Sequence, residues 1–175
     1  MKVLIVYATK NGVSKKAAQM LADKMKSFAE IDLYNISDAP PSPDGYDVAI
    51  VGGSIRMARL SKELKKYIKA HASTLSNMHS AAFICCGLTN DFNDYVVTEI
   101  PKSIKFSLGI ECFGGELKTD KVRGMDKIIT FFMRQGILTQ AIQINFQYLF
   151  SHTNIVCAKL LKEFYKTGEL PNGVN

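Results

Sequence analysis

Apolar residues in this chain fall into short unbroken runs, separated by stretches in which they recur every three or four positions. Residues 3–7 (Val-Leu-Ile-Val-Tyr) form the first run and read as a strand. Residues 13–28 follow with Ala17, Leu21, Met25 and Phe28 at helical spacing. Residues 31–36 alternate apolar and polar side chains like a strand, and residues 46–51 read as a second buried strand. Residues 60–71 read as a helix with Leu64, Tyr67 and Ile68 on one face. Residues 81–86 are a third continuous run. A helix broken near Pro101 is expected within 92–104, and a further strand at 108–113. Residues 154–165 read as a closing helix, with Ile155, Ala158, Leu161 and Phe164 or Tyr165 facing inward.

Strands that are apolar on both faces and separated by helices imply a parallel sheet covered on both sides, a three-layer α/β fold. The connection 37–45 carries Pro40, Pro41 and Pro43, too many for a helix. Its nine residues reach about 30 Å when extended, enough for one loop crossover past a neighbouring strand. One domain over residues 1–167 is expected, with a tail at 168–175 and a helical insertion at about 115–150 after the fifth strand. That insertion exceeds what the sheet needs to close. No Asp, Glu, Lys or Arg occurs between Arg134 and Lys159. A helix so uncharged is buried, whether on its own domain, in a homodimer interface or against a membrane surface.

The 175 residues suffice for one core without a disulfide or metal staple. The apolar start is too short for a signal peptide, and no run spans a bilayer. Cys85, Cys86, Cys112 and Cys157 form no C-x-x-C pair, so buried reduced thiols in a cytoplasmic protein are expected, and no metal site. Net charge is +6, and residues 1–87 hold 12 Lys or Arg against 7 Asp or Glu. The excess lies on Lys15, Lys16, Lys24 and Lys26 and on Lys62, Lys65, Lys66 and Lys69. It is read as solvated helix faces or as attraction to an anionic partner, including the membrane periphery. No aromatic residues interleave these lysines, which argues against nucleic acid.

Three polar, glycine-containing segments follow three of the strands. Thr9-Lys10-Asn11-Gly12-Val13-Ser14 opens the first helix, where backbone N–H groups and the helix dipole favour an anion. Its spacing is neither G-x-G-x-x-G nor a Walker loop. Gly52-Gly53-Ser54-Ile55-Arg56-Met57 ends the next central strand, and Cys86-Gly87-Leu88-Thr89-Asn90 ends the one after. In open α/β sheets ligands bind where such loops converge, at the point where strand order reverses. No His-Asp or Ser-His pair occurs in these loops, so side-chain acid–base catalysis is not indicated, and His71, His79 and His152 all lie outside them.

The first segment resembles the flavodoxin phosphate loop, with Asn11 and Ser14 in place of two threonines. Val48-Ala49-Ile50-Val51-Gly52-Gly53-Ser54-Ile55-Arg56 is similar to the flavodoxin-type menaquinone-dependent protoporphyrinogen oxidases, in which G-x-S-I-R follows this strand, and Gly124-Met125-Asp126-Lys127-Ile128-Ile129 is similar to their long insertion. The resemblance implies a flavodoxin-like sandwich with strand order 2-1-3-4-5 and non-covalent FMN, rather than FAD or a nicotinamide. It implies phosphate on Thr9, Lys10, Asn11, Gly12, Val13 and Ser14, the flavin edge along Ser54, Ile55 and Arg56, and an opposite wall of Cys86, Gly87, Leu88, Thr89 and Asn90. Phe92 and Tyr95 are the candidates for stacking on the ring, since the chain has no Trp. Arg56 is the expected catalytic residue, orienting an anionic group. The implied activity is oxidation of a tetrapyrrole, protoporphyrinogen IX, with a quinone as acceptor, guided by residues 115–150. The alternative is an electron carrier that serves a redox partner protein. Carriers of that kind are typically acidic, whereas this chain is basic.

Overall fold

The structure, a computed structural model, describes residues 1–87 and 89–114. The expected insertion at 115–150, the closing helix at 154–165 and the tail lie outside the described residues. Five strands run in the order β1 (Lys2–Ala8), β2 (Glu30–Asn35), β3 (Val48–Ser54), β4 (His79–Cys85) and β5 (Ile110–Cys112). Helix α1 (Val13–Met25) joins β1 to β2. Helices α2 (Lys62–Ala70) and α3 (Ala72–Asn77) join β3 to β4, and α4 (Phe92–Glu99) leads towards β5. All pairings are parallel and the sheet order is β2-β1-β3-β4-β5.

The unbroken apolar runs have their physical cause in this order. β1, β3 and β4 are interior strands, so both of their faces are covered. Val3, Ile5 and Tyr7 of β1 face α1, where they meet Ala17, Leu21 and Met25, together with Val48, Ile50 and Phe83 of β3 and β4. Leu4, Val6 and Ala8 face the other way, towards Leu64, Tyr67 and Ile68 of α2 and Leu75 of α3. Edge strand β2 is only half-buried after its exposed first residue, which is why its sequence alternates.

The connection from β2 to β3 is the expected loop crossover. It begins with a single 3₁₀ turn, Ile36–Asp38, and passes on the α2 side. The Tyr67 hydroxyl donates to the Pro41 carbonyl (2.7 Å), and the Tyr46 hydroxyl donates to Asp32 Oδ2 (2.8 Å), tying the loop to the layer beneath. Two elements differ from the sequence reading. The helix expected at 60–71 is followed by a second short helix, α3, which buries only Leu75. The strand expected at 108–113 is reduced to three residues.

Gly52 and Gly53 are packing residues. A Cβ added at Gly52 would stand 2.1 Å from Phe83 Cε1, and one at Gly53 would stand 2.9 Å from Leu64 Cδ2. Phe83 therefore lies across the space that Gly52 leaves on the α1 face, where it stacks on Phe113 at 5.0 Å between ring centroids. Gly52→Ala should lower the unfolding free energy by about 2 kcal/mol or more through overpacking. Adding Phe83→Leu should recover part of that loss, read as a return of the urea midpoint towards that of the parent.

Candidate functional site

The carboxyl ends of β1, β3 and β4 lie side by side. Ala8 is in register with Gly53, and Ser54 with Cys85. From β1 the chain turns to β2 on one side, and from β3 to β4 on the other. The three loops therefore leave one edge of the sheet around the point where strand order reverses, as the sequence implies.

The loop after β1 is an uncapped helix start. Gly12 takes the left-handed conformation (φ +86°), and its N–H donates to Thr9 Oγ1 (3.0 Å). A Cβ at Gly12 would meet nothing within 4 Å, so the dihedral, and not packing, calls for glycine. α1 has no side-chain cap and no acidic residue in its first turn. Its leading N–H groups are thus left to an external acceptor. Lys10 and Asn11 are exposed, Thr9 and Val13 are half-buried, and Ser14 is fully buried. The Ser14 hydroxyl has no hydrogen-bond partner. It lies beside the Cys85 thiol without making a well-formed bond, and burial pushes that thiol up to about 12. A buried, unsatisfied hydroxyl next to a bare helix N-terminus fits a phosphate group.

The loop after β3 is more constrained than its sequence suggests. The Ile55 N–H donates to the Cys85 carbonyl (2.9 Å), which extends the β3–β4 ladder past Ser54. Arg56 and Arg59 then exchange both backbone hydrogen bonds, at 2.9 and 3.0 Å. Between them Met57 (φ 48°) and Ala58 (φ 59°) form a two-residue turn with both central residues left-handed. Each such non-glycine residue costs about 1–2 kcal/mol. On the far shoulder, Glu99 Oε2 of α4 accepts from the Leu60 N–H (2.9 Å) and from Lys65 Nζ (2.8 Å). This clamp and the tight turn were missed in the sequence. The clamp pairs groups 34 and 39 residues apart, and the turn lacks the Gly or Asn that marks its type.

In the loop after β4, Gly87 and Asn90 are exposed, Thr89 enters a 3₁₀ turn (Thr89–Asp91), and Leu88 lies outside the described residues. Cys86 is buried in the core on the α2 side, with its Sγ 3.4 Å from Cys112 Sγ, while Cys85 is buried on the α1 side. The neighbouring Cys112 thiol and burial hold Cys86 well above the ordinary thiol range. The adjacent cysteines thus serve two separate cores, as their alternation along a strand predicts. Phe92 and Tyr95 pack against the core on the α2 side. His71 joins α2 to α3, and His79 opens β4 at the opposite edge of the sheet from the loops.

This arrangement defines a doubly wound α/β protein with an uncapped helix N-terminus at its switch point. A family model described as the flavodoxin domain matches residues 4–138, and the chain belongs to that family. FMN is the cofactor that this domain implies. The chain is 31% identical over 85 residues to the protoporphyrinogen IX dehydrogenase [quinone] of Escherichia coli K12, a match covering 47% of each protein, so it spans about half the length of that relative. Among solved structures it is similar to a short-chain flavodoxin associated with a bacterial microcompartment, with a TM-score of 0.62 and 14% identity over 93% of this chain and 98% of the other. It is also similar to the apo form of an NADH:FMN oxidoreductase, with a TM-score of 0.57 and 11% identity over 99% and 92% of the two chains. Among the described residues no helix is long and apolar enough to cross a membrane, and no group of three or more metal-ligating side chains occurs.

The Glu99 clamp sets a pH dependence. Burial pushes its carboxyl up, but the Lys65 and Leu60 hydrogen bonds and the nearby cations outweigh burial and hold it below the ordinary value of 4.5. A depressed folded-state value adds stability above the unfolded value and loses it as pH falls through the folded one. Glu99→Gln should therefore flatten the loss of stability below pH about 4.5. Glu99→Ala should cost about 2 kcal/mol at neutral pH, because the Leu60 N–H loses its acceptor. Thermal melts of the three proteins across pH 3–7 would read both effects.

Proposed function

We propose that this chain binds FMN at the β1, β3 and β4 loops and oxidises a reduced tetrapyrrole of the protoporphyrinogen type, with a quinone as acceptor. The observation that carries the reading is the 31% identity to the E. coli dehydrogenase, on a fold whose bare helix N-terminus suits a terminal phosphate. When bound, FMN supplies the two-electron chemistry. The chain's own residues hold and orient. The N–H groups that open α1, with the Thr9 and Ser14 hydroxyls and the Asn11 amide, donate to the phosphate, and Lys10 adds positive charge. Ser54, Ile55 and Arg56 flank one side of the flavin, and residues 86–90 flank the other through backbone and polar groups. Arg56 orients an anionic group of the substrate. The net positive charge of residues 1–87 favours an anionic substrate.

The absorption spectrum of the purified protein tests the cofactor, since flavin bands released by heating are expected. Gly12→Val should reduce the bound flavin several-fold, because a β-branched residue resists positive φ and obstructs backbone approach. Full flavin content in that variant would refute the phosphate-loop assignment. Turnover with protoporphyrinogen IX and menaquinone tests the activity, and Arg56→Ala should slow it about tenfold, the loss expected for one charge-assisted contact. A flavin-loaded protein that turns over neither compound would be an electron carrier instead.

A further inference from the structure

Two of the cysteines meet although 26 residues separate them along the chain. Cys86 follows directly on β4, and Cys112 is the last residue of β5. Both thiols are reduced and lie in the core on the α2 side, with their sulfurs 3.4 Å apart. Cys85 is buried on the α1 side, so the sheet itself separates it from this pair. As packing groups, two small apolar side chains would fill this space as well as two thiols. What the thiols add is the capacity to form a bond with each other. Such a bond would fall where the β4–β5 pairing ends. Ile84 is the register partner of Cys112, and its carbonyl accepts from the Phe113 N–H (2.9 Å). Cys86 lies two residues further on, at the start of the loop after β4.

We propose that Cys86 and Cys112 are a reversible dithiol–disulfide pair, which in the presence of a peroxide ties the start of the loop after β4 to edge strand β5. A disulfide holds its sulfurs about 2.05 Å apart, so the two must close by about 1.4 Å from their reduced separation. The link runs diagonally across the two strands, so part of that closure is movement of the Cys86 backbone towards β5. Cys86 lies beyond the last residue of β4, and β5 is only three residues long, so both sides can adjust. Access comes by the same route. Cys86 is 2% exposed and Cys112 6%, so the oxidant enters only when the short edge strand opens, and the reaction is slow beside that of an exposed thiol. In the opened state one thiolate attacks an oxygen of hydrogen peroxide, the O–O bond breaks, and a sulfenic acid forms as hydroxide leaves and takes up the thiol's proton. The second sulfur then displaces that oxygen: the S–S bond forms, the S–O bond breaks, and water leaves. Two thiols lose two electrons, and one peroxide becomes two waters. This chemistry needs neither the cofactor nor the substrate proposed above.

The test is mass spectrometry of the full chain after treatment with hydrogen peroxide, with the remaining thiols alkylated under denaturing conditions. The parent should lose the mass of two hydrogens and yield a linked peptide pair joining Cys86 to Cys112, and dithiothreitol should restore both thiols. Cys112→Ala should abolish the link, whereas Cys157→Ala should keep it. Amide hydrogen exchange at the start of the loop after β4 and in β5 should slow several-fold in the linked chain. A link to Cys85 or Cys157, a link between two chains, sulfinic or sulfonic acid in place of a link, or four alkylatable cysteines after treatment would each overturn the pair. A linked chain whose exchange matches that of the reduced one would overturn the tie to β5.

Discussion

The reversal of strand order at β1 is the constraint on which the rest of the molecule depends. β1 lies between β2 and β3, so the chain leaving β1 must turn one way and the chain leaving β3 the other. Two parallel strands whose connections diverge cannot have a helix covering their shared end, and a crevice opens there. The same arrangement makes β1 an interior strand with no solvent-facing side chain from Val3 to Ala8. A strand buried on both faces must be apolar throughout, and the helix that follows β1 starts beside the crevice without a side-chain cap. Fold and core thus follow from one topological fact.

That fact is written plainly in the sequence, because interior parallel strands cannot hide. The runs at 3–7 and 81–86 fall within β1 and, except for Cys86, within β4. The three prolines between 37 and 45 leave a loop crossover as the only way past β1. α3 was illegible for the opposite reason. Six residues that bury a single leucine carry no periodicity, and their Ser and Thr content reads as loop. Gly52 and Gly53 were legible as glycines but not as to purpose. Beside a polar loop they suggest cofactor approach, whereas the groups that need the space, Phe83 at Gly52 and Leu64 at Gly53, lie on later elements.

The loop after β3 shows why side-chain chemistry is harder to read than topology. Its turn has two left-handed residues without the glycine or asparagine that would betray it. The structure tolerates the strain because both shoulders are tied, one to a backbone carbonyl of β4 and the other to a carboxylate of α4. Each tie joins residues far apart in sequence, so no local pattern announces it. A free loop with these residues would relax into ordinary dihedrals, and its two arginines would separate. The clamp on Leu60 thus holds the turn from outside it.

The first two loops divide the work. The loop after β1 presents backbone N–H groups and small hydroxyls, and its shape depends on the left-handed dihedral of Gly12. The loop after β3 is held instead by backbone hydrogen bonds that do not depend on its own side chains. The two loops thus differ in what fixes them, the first by one glycine dihedral and the second by ties to β4 and α4.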